Sequence, residues 1–327
     1  MTQQILISGN DAGQRLDRFL RKKFPQLPLT AIYKFLRQKK VRIVRSERKF
    51  HGKKEDMLEK NDELKLFFDA EKFGTAPEKK PVNFEFLLKS PFFRQHFQIH
   101  YEDEWLWVAE KNAGIAVHPG SKTPWGHSLI DLFVATVRSE DVSLPEPKLV
   151  HRLDKDTSGL ILIAKNDATL RKLTALIRDD EIQKKYLALI KGKLPKESGE
   201  IRMKLLRTEG SKFTKIQTSR SAEAKEARTL YRVREYFPEL DASLLEVTLD
   251  TGRMHQIRVH FSSLGHPLAG DQAYGDFAWN RELEKNYGLK RHFLHAYFLK
   301  FRHPETGKIL ELQNELPTDL KKMLPSK

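Results

Sequence analysis

Residues 150–165 read VHRLDKDTSGLILIAK, a charged loop running straight into an apolar stretch. LILIAK (160–165) has the length and composition of a fully buried strand. His151, Arg152, Asp154 and Asp156 precede it, with Ser158 and Gly159 at the join. Charged groups beside a core strand often form only a solvated turn, so the surroundings must decide what these do. Outward from this point, WLWVAEK (105–111), YLALIKG (186–192) and SLLEVTLD (243–250) also read as strands. HSLIDLFVATVR (127–138) reads as an amphipathic helix. ATLRKLTALIRD (168–179) is another, with Leu170, Leu173 and Ile177 on one face and Asp167 as its expected cap. A third helix over about 254–264 should bury Ile257, Phe261 and Leu264 and project Arg258 from a neighbouring side. The class is α+β, a sheet with helices packed on it.

Several chemistries are excluded by what the 327 residues lack. There is no cysteine, hence no disulfide, thiolate nucleophile or cysteine-bound metal, which suits a reducing cytoplasm. No strand is followed by a dinucleotide fingerprint or a phosphate loop. The twelve histidines include no HExxH, and His255 and His260 fall on different sides of a helix, so no metal site is expected. No apolar run approaches the ~20 residues of a membrane span. MTQQILISGN lacks the basic flank and apolar core of a secretory signal.

The charge is uneven. The chain carries +15, and residues 15–54 hold fifteen Lys or Arg against Asp17 and Glu47, a net of +13. Such a segment suits a phosphate backbone, through release of condensed counterions. It is also built to fold. Leu16, Phe19, Leu20 and Phe24 recur at helical spacing, then Pro25 and Pro28 break the chain. Thr30 is expected to cap a second helix over AIYKFLRQKK (31–40), with Ile32, Phe35 and Leu36 inward. VRIV (41–44) and DELKLFF (62–68) read as strands. EKFGTAPEKKPVN (71–83) reads as a linker, and FEFLLKSPFFRQHF (84–97) finds no place in the pattern.

Two resemblances bear on the central loop. DKDTS resembles the DxDxT nucleophile motif of aspartyl-phosphate phosphatases, but that motif needs an apolar strand leading into its first Asp, and here the strand follows. HRLDKDTSGL resembles the signature HRLDxxTSG of the RluA family of pseudouridine synthases at every fixed position. KKYLALIKG (184–192), TGRMHQIRVHFSSLGHPLAGDQAYG (251–275) and FLHAYFLKF (293–301) resemble three further blocks of that family in the expected order. Met254 departs from the usual Thr or Ser. Residues 13–70, two short basic helices and a small sheet, resemble the S4 RNA-binding domain.

The family resemblance implies a small S4-like domain over 1–71, a linker over 72–90, and a catalytic domain over 91–327 whose mixed, largely antiparallel sheet is flanked by helices. It implies isomerisation of uridine to pseudouridine in RNA, most like the RluC type, which acts on large-subunit ribosomal RNA. Asp154 matches the catalytic aspartate, Arg258 the arginine paired with it, and Tyr186 the active-site tyrosine. Arg152 matches an arginine that fills the space left by the extruded base, and Arg253 is expected at a phosphate. Arg15, Arg18, Lys34, Arg37, Lys39, Lys40 and Arg42 are the expected RNA-binding cations of the front domain. No cofactor, metal or membrane is implied, and the protein is expected to act as a monomer in the cytoplasm. Transfer RNA as the target, and a non-catalytic RNA-binding role, are the alternatives. An intact set of Asp154, Tyr186 and Arg258 speaks against the second.

Overall fold

Leu16, Phe19 and Leu20 lie on one side of α1 (Leu16–Lys23) and are buried there, as the spacing requires. The computed structural model describes residues 3–9, 11–24, 26–46, 48–69, 96–119, 123, 126–141, 144–209, 214–219, 221 and 223–325. It divides into two units, Met1–Val82 and Asn83–Lys327. The expected linker over 72–90, and most of the unplaced stretch 84–97, lie outside the described residues.

In the first unit α1 and α2 (Leu29–Arg37) share a core with a four-stranded sheet. Its strands β1 (Gln3–Leu6), β2 (Val41–Arg45), β3 (Arg48–His51) and β4 (Glu63–Leu66) run in the order β1-β4-β2-β3, every pair antiparallel. Thr30 does not cap α2. The helix begins at Leu29, two residues earlier than expected, with Pro28 at the cap position and no side-chain cap. Pro28 stands there in extended backbone, φ −63° and ψ 147°, where its missing N–H removes no helix hydrogen bond.

The second unit is organised around β8 (Ser158–Ala164), all seven of whose residues are buried. Along its length it pairs antiparallel with β6 (Leu106–Lys111), which pairs in turn with β5 (Phe97–Glu102). On its other edge the two-residue β7 (Lys148–Leu149) pairs with its end, and β14 (Leu294–Arg302) with its beginning. The β8–β14 contact is the sheet's only parallel pairing among the described residues, two residue pairs long: His295 with Ser158 and Ala296 with Gly159. From β14 the sheet continues through β9 (Gln183–Lys191), β13 (Ala242–Leu249), β12 (Lys225–Phe237), β10 (Ser198–Glu209) and β11 (Thr214–Thr218). β15 (Ile309–Gln313) adds to β14, giving eleven strands, mixed and largely antiparallel.

Helices cover this sheet. α3 (Leu129–Glu140) presents Phe133 to Trp107 of β6, ring centroids 5.2 Å apart. α4 (Asp167–Arg178) packs Leu170, Leu173 and Ile177 against Leu160 and Leu162 of β8. Its cap is Asn166, whose side chain accepts from the Thr169 amide, so Asp167 stands inside the first turn instead. α5 (Gln256–Ser263) packs Val259 among Leu205, Ile216 and Ala227. Ile257 and Phe261 of α5 are buried as expected, but Leu264 is 44% exposed, because the helix ends at Ser263. α6 (Phe277–Tyr287) and the short α7 (Thr318–Lys321) close the far face through Trp279, Leu283 and Leu320.

Candidate active site

The loop between β7 and β8 is fixed by its own ends. Leu153 is buried, the Thr157 amide donates to the Asp154 carbonyl at 3.1 Å, and the His151 ring accepts from the Leu162 amide at 3.1 Å. Burial pushes His151 down to about 3, so at neutral pH it is a neutral acceptor that serves the backbone. Thr157 and Ser158 meet His292 (2.8 Å) and His295 (2.9 Å) of the FLHAYF segment and its approach. Gly159 follows with φ +118, and a Cβ there would stand 2.3 Å from the Ala296 carbonyl oxygen. The glycine is what lets β8 and β14 touch.

Lys111, at the end of β6, lies beneath the same loop and is wholly buried. Its Nζ donates to the carbonyls of Asn112 (2.8 Å), Lys155 (2.9 Å) and Ile115 (3.0 Å). Burial drives it down to about 7, while three acceptors match the three N–H bonds of an ammonium. The composition gave no hint of this lysine, which reads as the edge of a strand.

Asp154 projects from this loop into a cavity of about 50 Å³, walled also by Arg152, Tyr186, Arg253, His255 and Arg258. The structure thus brings all five expected residues of the second unit to one place. The Asp154 carboxylate accepts from Arg258 Nη1 at 3.0 Å, and His255 Nε2 stands 3.8 Å from it. Arg258 is buried in α5 and spends its other face on Asp271, with Nε at 2.7 Å and Nη2 at 2.8 Å from the two carboxylate oxygens. Asp271 is wholly buried and also accepts from the Ala273 and Tyr274 amides. The Tyr274 ring lies under the guanidinium, 5.1 Å from its centroid. Asp271 escaped the sequence reading, although GDQAYG was in view. A carboxylate thirteen residues from its partner, across a loop, leaves no periodic signal.

Burial opposes ionisation of Asp154, but His255, Arg258 and His292 outweigh it and hold the carboxyl below its usual range. His292 is itself driven down to about 3 by burial, and burial also lowers His255. At neutral pH the charge that keeps Asp154 ionised is therefore Arg258. Burial, then the Asp154 charge, push the Tyr186 phenol well above its ordinary value, so it stays protonated. Tyr186 stands on β9, opposite Val247 of β13.

Arg152 is exposed at the cavity mouth. Arg253 is exposed as well and donates through Nε to the Glu226 carbonyl at 3.2 Å. Gln256 fixes the turn that carries it, accepting from the Arg253 amide and from Thr251 while donating to the Arg228 carbonyl. Among the described residues no group of three or more His, Cys, Asp or Glu side chains could hold a metal ion. No described helix is long and apolar enough to cross a membrane.

Comparison with known proteins bears directly on this arrangement. The family model for RNA pseudouridylate synthase matches residues 105–263. A ribosomal large subunit pseudouridine synthase C of Pasteurella multocida is 36% identical over 322 residues, 98% of this chain and 93% of the relative. The chain belongs to the RNA pseudouridine synthase family. The counterpart of the same name in Escherichia coli K12 is 35% identical over 328 residues, covering 98% and 95% of the two chains. Among solved structures, human RNA pseudouridylate synthase domain containing 4 has a TM-score of 0.57 at 24% identity, over 73% of this chain and 95% of that one. Human RNA pseudouridylate synthase domain containing 1 has a TM-score of 0.53 at 25% identity, over 68% and 84%. A pseudouridine synthase is an isomerase, and the α+β fold is the one its relatives share.

In the first unit the expected RNA-binding cations divide. Arg15 is committed to Asp17 at 2.8 Å. Arg18, Lys34, Arg37, Lys39 and Arg42 are exposed, with Arg42 lying over the Phe67 ring at 4.9 Å. Lys40 is half-buried, its Nζ 5.7 Å from the Phe35 ring.

Proposed function

We propose that this pseudouridine synthase isomerises uridines of large-subunit ribosomal RNA, with Asp154 performing the chemistry and no cofactor. The observation that carries the chemical reading is the Asp154–Arg258–Asp271 chain: a half-buried carboxylate held ionised by a buried guanidinium, itself clamped by a second, buried carboxylate. The ribosomal target follows from the names of relatives matched over nearly the whole chain.

The reaction breaks the N1–C1′ bond, turns the uracil and joins C5 to C1′. N1 gains a proton and C5 loses one, so nothing is oxidised or reduced. An ionised carboxylate can add to carbon or take a sugar proton unaided. Both routes need Asp154 charged, which Arg258 secures. Tyr186, protonated and set in the wall, offers a ring for the uracil to stack on and a hydroxyl for hydrogen bonding, not a phenolate base. A stacked base cannot reach this cavity, so the uridine must leave its helix. At about 50 Å³ the cavity is well below the ~300 Å³ of small-molecule sites. Arg152 and Arg253 at the mouth therefore move aside as the base enters, and Arg152 is placed to fill its vacated position. The basic face of the first unit anchors the RNA through phosphates, in the manner of an S4 domain.

Asp154→Asn keeps the shape and removes the charge. It should abolish pseudouridine formation, by at least a thousandfold in single-turnover assays, with RNA affinity little changed. Turnover within tenfold of wild type would overturn the assignment. Mapping pseudouridine in ribosomal and transfer RNA with and without the gene tests the target.

A further inference from the structure

We propose that the first unit contains a pocket for one unstacked RNA base, so that it reads local RNA structure as well as charge. The proposal rests on the reading of this unit as an RNA anchor and gives the anchor a specificity. The pocket lies between α2 and the turn after β3, and encloses about 510 Å³, a volume within the range of small-molecule sites. Tyr33 and Leu36, one turn of α2 apart, supply its apolar wall. The opposing turn carries Gly52, which lets it pack down on α1 and the sheet. A Cβ there would stand 2.4 Å from the Leu16 side chain. Arg37, Lys53 and Lys54, all exposed, rim the opening.

An apolar slot with an aromatic wall and a cationic rim matches an unpaired nucleotide: base inside, phosphates on the rim. A paired helix cannot enter it, because its bases are covered by their neighbours. The Tyr33 hydroxyl lies 3.5 Å from the Asp17 carboxylate, itself held by Arg15. The ring itself packs against the core of the unit and lines the slot, so its place does not depend on that weak contact. An acidic peptide would satisfy the rim but gains nothing from a flat aromatic wall.

The test uses the full chain and two short RNA hairpins, one with a single bulged 2-aminopurine and one fully paired. The wild type should bind the bulged hairpin about tenfold or more tightly than the paired one. Stacking should quench the 2-aminopurine emission. Tyr33→Ala and Tyr33→Leu should lose both the preference and the quenching while keeping their affinity for the paired hairpin; Tyr33→Phe should keep everything. Lys53→Gln with Lys54→Gln should flatten the logarithmic salt dependence by about 1.4–1.8 units on both hairpins. Equal affinity of the wild type for the two hairpins would overturn the pocket. Quenching that persists in Tyr33→Leu would place the base in the Asp154 cavity and overturn it too. Displacement of the bulged RNA by a polyglutamate peptide as effectively as by single-stranded RNA would assign the slot to an acidic partner instead. A salt slope unmoved by the lysine changes, with the bulge preference intact, refutes the anchoring rim, whereas a flattened slope without bulge preference refutes only the base pocket.

Discussion

Arg258 holds two carboxylates, and the two should respond differently to substitution. Removing the guanidinium with Arg258→Met strands Asp154 in a site where burial favours the neutral acid. The folded carboxyl now lies below its ordinary range, so the wild-type rate should keep no acid limb until the pH falls beneath that range. In Arg258→Met the limb should move upward, toward or into the neutral region, and the maximal rate should fall. Identical pH–rate profiles for the two proteins would show that Arg258 does not set the charge. Arg258→Lys rescues only in part, because an ammonium cannot bridge both carboxylates with paired N–H bonds. Asp271→Asn breaks a buried pair and should cost about 3–5 kcal/mol of stability in urea unfolding. The meeting of Asp154, Tyr186 and Arg258 at one cavity was legible, because a motif fixed both identity and spacing. Placement was illegible where it lies in a three-dimensional contact between ordinary positions, as for Asp271, Lys111 and the His292 ring.

Elements were readable in proportion to their burial. β6 and β8 declare themselves by apolar runs, since both faces are covered, and β9 and β13 by shorter ones that bury one face fully. β10 and β12 do not, because charged side chains alternate along strands at the margin of the sheet; Lys204 lies opposite Glu226, and Arg232 opposite Glu246. Helix ends failed in a patterned way, since the expected caps Thr30 and Asp167 each fall inside the first turn that a neighbour begins. The element most exposed to a single change is β8. Gly159→Ala would drive a methyl into the Ala296 backbone at a φ that L-residues rarely adopt. It should destabilise the protein by about 3 kcal/mol or more, the loss expected of overpacking combined with strain. Thermal unfolding checks this, and a wild-type melting temperature would refute the reading of the join.

At the scale of the molecule, the imbalance of charge assigns the work. Neutralising Arg18, Lys34, Lys39 and Arg42 to Gln in the full chain should flatten the logarithmic salt dependence of RNA binding by about 2.8–3.6 units. The single-turnover rate at saturating RNA should hold, since no residue of the Asp154 cavity is touched. Binding titrations at several salt concentrations, run beside rate measurements, separate the two effects; an unchanged slope would remove these cations from the interface. The expectation rests on a forty-residue block of positive charge in the sequence. The seam within the large sheet left no mark there. Two residue pairs between β8 and β14 join a half that carries Asp154 to a half that carries Tyr186 and, through α5, Arg258. On the proposed function, a uridine seated among these three side chains would staple the halves together. Binding energy is then partly stored as resistance to local opening, and the amides around Ser158, Gly159 and Ala296 should exchange with deuterium more slowly once RNA is bound.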